Sequence, residues 1–434
     1  MDASRRSFLR KALLGPVGLR AMATGIPASF FLAGYPGEEA MAADPVPPQF
    51  LLYLNARAGH PINANVPGTY GINGVAHPGM ASMAPTQLSL GGVNTTAAAP
   101  WASLPQWVLD RTAFIHHRTY LNAHPHHEKV MGLVGSAKGE TGTGSEHLAS
   151  LIASENANAL GTLQREPVTL GGETVTFKGA VMQSLAPRTL SRIFEPANGD
   201  GLALAQLRDT ALDEIHADLQ ARGTAVQREW IDRYALSREQ VKQIDESLLD
   251  RLAAITGNGQ DDQLQAAIAL FMMKISPVVT VDVRFGGDNH TDAGLTKEAD
   301  ETVAALASLN AFFAELDAVG LADKVTVANL NVFGRTLGKK GTAGRDHNLN
   351  HHAMMIIGPH VQAGVFGGVA PSGNDFGATS IQSDTGAGGD GGDIPQDQTL
   401  QAAAKTLATV TGVAPERVEL RVDGGKVITA AVAG

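Results

Sequence analysis

The chain has 434 residues, a formal charge of −10 and no cysteine. The acidic balance speaks against a nucleic-acid or anionic-membrane partner. The missing thiols exclude a disulfide framework and any thiolate-held metal, so a metal ion would have to sit on His, Asp, Glu or Asn.

The N-terminus carries an export signature. Ser4-Arg5-Arg6-Ser7-Phe8-Leu9-Arg10 reads as a twin-arginine signal, followed by a modestly apolar stretch from Ala12 to Leu32 and a small-residue cleavage site at Ala40-Met41-Ala42. Pro16 and Arg20 interrupt the apolar stretch, and a permanent span needs roughly 20 apolar residues. Residues 1–42 are therefore expected to be removed, leaving 43–434 as one α/β domain in the periplasm or outside the cell. The twin-arginine translocase is the partner this implies during export.

Pro48–Asn55 has the pattern of a short buried strand and leads into a loop holding His60, Asn63 and Asn65. The Gly-, Ala-, Ser-, Asn- and Pro-rich stretch from Gly68 to Pro100 reads as an ordered surface loop. Trp107–Leu109 suggests a helix end and Ala113–His117 a strand. A loop with His124, His126, His127 and Glu128 follows. Glu146–Leu160 is helical by spacing, as is the charged region Leu202–Ile255 with a break near Gly223. The latter reads as a helical insertion or cap over 200–256.

Pro277–Val283 is a strand that runs into Gly286-Gly287-Asp288-Asn289-His290. Thr296–Leu316 is an amphipathic helix, and Val325–Leu330 is a strand leading to Phe333-Gly334-Arg335-Thr336. Gly344-Arg345-Asp346-His347-Asn348 and His351-His352 precede a strand at Met354–Ile357. Residues 363–393 read as loop, Leu400–Thr411 as helix, and Val418–Val432 as a hairpin turning at Asp423-Gly424-Gly425. Strands alternating with helices predict a mostly parallel sheet flanked by helices. Ligands of such sheets bind outside the carboxyl ends of the strands, where both Asp/His clusters fall. Carboxylate plus imidazole in glycine-rich loops is a ligand set for zinc or manganese.

The twin-arginine signal, Asp288-x-His290 ahead of a long helix, Phe333-Gly334-Arg335-Thr336, Gly344-Arg345-Asp346-His347 and the Gly-rich Gly364–Gly377 segment resemble the bacterial domain of unknown function 1501. That family is similar in fold to the alkaline phosphatase and sulfatase superfamily. The resemblance implies an alkaline-phosphatase-like fold with one or two divalent ions at Asp288, His290, Asp346 and His347. It implies a small anionic ester, phosphate or sulfate, as substrate. Three positions depart from the family's pattern. His60 stands where an Asp is usual, Ala123 precedes His124 where a Ser is usual, and Val332 stands where a Glu is usual. His60 and His124 could restore a ligand set with imidazole, and the loss of two carboxylates favours one ion over two. Arg335 and Arg345, with Lys339 and Lys340, form a candidate anion-binding rim. Thr119 and Ser145 are the candidate nucleophiles. Two readings stand side by side: a metal-dependent ester hydrolase, and a non-catalytic binding or scaffold protein with a depleted site.

Replacing Arg5 and Arg6 by lysine should hold the protein in the cytoplasm, because the translocase reads the guanidinium pair rather than charge alone. Fractionation of expressing cells checks this. Processed Lys-Lys protein in the periplasm would refute the export reading.

Overall fold

Phe50–Ala56 (β1) is buried at every position, so both of its faces must be covered, as in a parallel sheet sandwiched by helices. The computed structural model describes residues 46–433 apart from 57, 127–129, 131–145, 172, 174, 194–209, 211–212, 225–226, 229–245 and 341. The export signal and most of the 200–256 insertion therefore lie outside the described residues. So do His127, Glu128 and Ser145. Within the insertion, residues 213–222 and 246–254 are helical, and 223–224 are not. No helix among the described residues is long and apolar enough to cross a membrane.

The other strands of the central sheet are Thr112–His117 (β2), Val168–Thr169 (β3), Val278–Val281 (β4), Val325–Asn331 (β5), His352–Ile357 (β6) and Gly364–Phe366 (β7). Their order is β7-β2-β6-β5-β1-β4-β3. β1 lies parallel to β4 and β5, with Leu52 opposite Val279 on one side and Val327 on the other. β6 runs antiparallel to both of its neighbours, β5 and β2, while β7 and β3 are parallel to theirs. Every strand but β6 therefore ends at the same edge, and β6 begins there.

Side-chain alternation splits the core into two layers. Phe50, Leu52 and Leu54 pack with Gln260–Met272 and Thr296–Ala318. Leu51 and Tyr53 face the opposite way, toward Leu148–Leu160 and Thr399–Val410. In chain order these helices are α1 (148–160), α2 (260–272), α3 (296–318) and α4 (399–410). The carboxylate of Asp292 accepts the Thr296 N–H at 2.8 Å and the Glu298 N–H at 3.0 Å, which starts α3 directly after the loop holding Asp288 and His290. Trp101 is fully buried, edge-on to Phe114 with ring centroids 5.0 Å apart.

Three local expectations need correction. The stretch 68–100 is not all loop, since Pro85–Leu90 and Val93–Ala98 pair as an antiparallel hairpin. Gly91 and Gly92, both at positive φ, make the two-residue turn that such a hairpin requires. Residues 363–393 likewise contain β7 and a hairpin of Val369–Ser372 with Asp375–Ala378. The third concerns Val418–Val432: Pro415–Arg421 is a helix, with proline at its start, Glu416 in its first turn and Arg421 in its last. The alternation Val418-Glu419-Leu420-Arg421-Val422 imitates a strand, but the end signals favour the helix. Helix α2 has no counterpart in the spacing analysis because its buried residues run nearly all round, which erases the 3.6-residue signal.

His116 and His117 close β2 in the fully buried interior, where burial lowers each imidazole to about 4. The unfolded chain takes up these protons near pH 6.5, the folded chain only near 4. Stability should therefore fall as pH drops from about 6.5 toward 4, by up to about 1.4 kcal/mol per pH unit for each such histidine. Urea midpoints at pH 7, 6 and 5 check this, and a flat profile would refute it.

Candidate metal centre at the carboxyl edge

The common edge gathers four loops and the segment that feeds β6. The loop after β1 supplies Ala58 to Asn63, the loop after β4 supplies Asp288 and His290, the loop after β5 supplies Phe333 to Arg335, and the loop after β2 supplies His124. Asp346 and His347 arrive just ahead of β6. A two-residue ladder sets Arg335 directly opposite His347. Gly344 lies so close to the carbonyl of Asn289 that any side chain there would collide with it, and its N–H donates to the His290 carbonyl at 3.0 Å. Glycine thus lets the two Asp/His loops touch.

One ring nitrogen from each of His124, His290 and His347 lies within 4.8 Å of the other two. His290 Nε2 and His347 Nε2 are 2.9 Å apart. The Asp288 carboxylate borders the group, 3.6 Å from His124 Nε2 through one oxygen and 3.6 Å from His290 Nε2 through the other. The surrounding bonds decide which nitrogens carry protons. His347 Nδ1 donates to the Asn122 carbonyl, which leaves a lone pair on its Nε2. Arg335 Nη1 donates to His290 Nε2 at 3.2 Å, so that nitrogen is also an acceptor, and His290 Nδ1 faces Asp346 Oδ1 at 3.5 Å. Two lone pairs therefore point at each other across 2.9 Å. That arrangement repels unless a cation or a shared proton lies between them. Phe333 holds the His347 ring in place by stacking at 3.9 Å between centroids.

The charges around the group agree with this. Burial works to raise Asp288, but Arg335, His290 and His124 outweigh it and hold its carboxyl below the ordinary range. Lys340 holds Asp346 low through a 2.9 Å hydrogen bond. Burial, helped by the positive Arg335, lowers His347 and favours its neutral, ligating form.

The remaining expected site residues fall in different places. Arg335 is at the cluster, fully buried, and donates to the carbonyls of Gly59 at 2.6 Å and Ala58 at 2.7 Å and to Asp288 at 3.1 Å. It acts as a buried brace for the clustered side chains rather than as an exposed rim. Arg345 is elsewhere: its guanidinium is buried in a two-point pair with Glu298, at 2.7 and 2.9 Å, and donates to the carbonyls of Thr336, Leu337 and Ala76. Those bonds leave it structural. Lys339 donates to the Ala293 carbonyl and Lys340 to Asp346, so the four cations do not form one anion rim.

His60 does not join the cluster. Its Nδ1 accepts the backbone N–H groups of Gly287 at 2.9 Å and Phe285 at 3.3 Å, so the neutral ring carries its proton on Nε2 and has no lone pair to offer a metal. The Thr119 hydroxyl lies 3.4 Å from the Leu349 carbonyl and its N–H also donates there, a backbone-tethering role. Val332 is fully buried and belongs to the apolar core.

A buried relay beneath the cluster has no counterpart in the sequence reading. Asn63 exchanges two hydrogen bonds with the Arg335 backbone and donates to His351 Nδ1 at 3.1 Å. His351 Nε2 meets His116 Nδ1 at 2.9 Å, and His116 Nε2 donates to the Pro67 carbonyl at 2.9 Å. An Asn in the loop after a buried strand was the available signal, but asparagine is common in loops for turn reasons alone.

Residues 198–381 match the family described as Protein of unknown function (DUF1501), which supports that family for this part of the chain. The match spans the Asp288-x-His290, Phe333–Thr336 and Gly344–His347 motifs. A comparison with the curated proteins finds no match.

Glu298→Gln should leave the Arg345 charge buried without its partner and cost about 3–5 kcal/mol. Urea unfolding checks this, and near-parental stability would show Arg345 to be uncommitted after all.

Proposed function

We propose that this protein is an exported metal-dependent hydrolase of the alkaline phosphatase and sulfatase type, acting on phosphate or sulfate esters. The observation that carries the reading is the pair of imidazole lone pairs facing each other 2.9 Å apart beside Asp288 and His124. Three imidazoles and a carboxylate fit zinc first and manganese second.

A divalent ion held there would supply Lewis acidity, polarising an ester oxygen and lowering the pKa of water. The protein's own groups hold and orient. The Asn122 carbonyl fixes the ring tautomer of His347 from behind, as partners of ligating histidines do, and Arg335 donating to Nε2 sets that of His290, whose Nδ1 faces Asp346 at 3.5 Å. Arg335 steadies Asp288 through a charge-assisted bond that survives burial because its other donors are satisfied by carbonyls. With one such group of ligands brought together among the described residues, a single ion per chain is the expected stoichiometry. The tethering of Thr119 argues against its hydroxyl as the attacking group and favours water. It also sustains a second reading, a protein that holds a metal without turning over an ester.

Purified protein should contain about one zinc or manganese per chain, and His347→Ala and Asp288→Asn should each lose it. Saturating metal at 100-fold over its Kd should stabilise the parent by about 2.7 kcal/mol and the variants much less. Elemental analysis, thermal melts and a panel of nitrophenyl phosphate, phosphodiester and sulfate substrates check this. Equal metal in parent and variants would remove the site. Bound metal with no turnover on the whole panel would favour the second reading.

A further inference from the structure

Asp288 borders a second feature. A cleft of about 320 Å3 opens between the loops after the adjacent strands β1 and β4, with the start of α3 along one side. Because Asp288 lines both the cleft and the metal cluster, a ligand reacting at the cluster would lay its remainder in the cleft.

The chemistry of the walls is specific. Among the described residues the apolar side chains of the wall are the small ones of Ala56 and Ala58, so a bulky hydrophobic group finds little there to pack against. Carboxylates come from Glu173, Asp282 and Glu301, and cations from Arg284 and Lys297. His60, 2 % exposed, completes the wall, and its Nε2 makes no hydrogen bond. Its Nδ1 is taken by two backbone N–H groups, so Nε2 is a buried donor lacking an acceptor. The nearest carboxylate oxygen, Asp282 Oδ1, is 3.8 Å away, beyond hydrogen-bonding distance. Asp282 is steadied by Arg284 through its other oxygen at 3.2 Å.

An unmet donor beside a carboxylate discriminates among ligand groups. An ammonium would pair with Asp282 but leave His60 N–H without an acceptor. A second anion would satisfy His60 but face the carboxylates. A hydroxyl does both, accepting from His60 and donating to Asp282. The same logic extends along the walls, where acceptors and donors are interleaved.

We infer that this cleft is the subsite for the alcohol half of the ester, and that it takes a small polyhydroxylated group, a sugar or polyol. The assignment to the alcohol half rests on the hydrolase reading, while the capacity to bind polyols does not. The volume lies at the small end of the ~300–1,000 Å3 usual for small-molecule sites, which suits a single ring.

The test separates the two claims by measuring binding without an ester. Zinc-loaded mature protein is titrated with glucose, and in parallel with choline chloride, by saturation-transfer NMR. Glucose should bind and choline should not. Asp282→Ala and the surface change Arg284→Ala should each weaken glucose about tenfold, the size expected for losing a hydrogen bond to a charged group. Metal content should not change in either variant. No glucose binding, binding untouched by both variants, or a preference for choline would overturn the subsite. Hydrolysis is then compared between glucose 6-phosphate and nitrophenyl phosphate. A loss of kcat/KM in Asp282→Ala that is no larger for glucose 6-phosphate than for nitrophenyl phosphate would overturn the assignment to the alcohol half. Glucose binding with no turnover of these two esters or of the phosphodiester and sulfate substrates would leave the polyol site standing and remove the hydrolase reading alone.

Discussion

A guanidinium with no exposed surface must satisfy its donors inside the protein, and Arg335 does so by tying three loops together. Its bonds to the carbonyls of Ala58 and Gly59 fix the turn after β1, and those to Asp288 and His290 fix the loop after β4. The backbone of Arg335 is in turn held by Asn63. Removing this one side chain would leave the loop carbonyls of Ala58 and Gly59 without their donor, the costly direction for buried polar groups, and would loosen Asp288 and His290. A lysine could not take over, since it offers a point charge in place of a planar fork. The buried pair of Arg345 and Glu298 performs a parallel task one layer away. Glu298 also accepts from Asn65 at 2.8 Å and Asn289 at 2.9 Å, so the two arginines between them anchor every loop that reaches the edge from β1 and β4.

The relay below Arg335 permits only one direction of hydrogen bonding. The Pro67 carbonyl can only accept, so His116 donates from Nε2 and accepts at Nδ1. His351 must then donate from Nε2 and accept at Nδ1, where Asn63 donates. Each ring is neutral and its tautomer is set by its neighbours. The consequence reaches the surface, because the last member of the series positions the Arg335 main chain. The geometry of the half-buried histidines is thus imposed from beneath as well as from the side.

How much of this was legible in the sequence depended on whether the signal was local. Asp288, His290, Asp346 and His347 stood out because carboxylate and imidazole occur together where a buried strand ends, and a parallel sheet puts such ends on one edge. Strands β1, β2, β4, β5 and β6 and helix α3 were legible through their own residue patterns, whereas β7 lay in a stretch read as loop and the two-residue β3 was too short to leave a pattern. His60 and Arg345 misled because their roles are set by partners far along the chain: the backbone of Phe285 and Gly287 for one, Glu298 for the other. Nothing adjacent to His60 reveals that its Nδ1 will be occupied. The hairpin at 85–98 and the helix at 415–421 were hidden differently. Their end signals, Gly91-Gly92 and Pro415, were present but lay inside stretches whose composition suggested something else.

Charge counting connects the edge to the kind of ligand it can take. Around the histidines, Asp288 and Asp346 contribute two negative charges, and Arg335 and Lys340 pair with them. With the rings neutral, the cluster is balanced before any ion enters. A single dication would then carry its full charge outward, and in a partly desolvated site that charge would draw a phosphate or sulfate. A second dication would find no further carboxylate among the described residues of the group to offset it. The same count explains why the neighbouring cleft can afford carboxylates of its own: the anion of a bound ester would be held at the cluster, and only its uncharged hydroxyls would lie against Asp282 and Glu301.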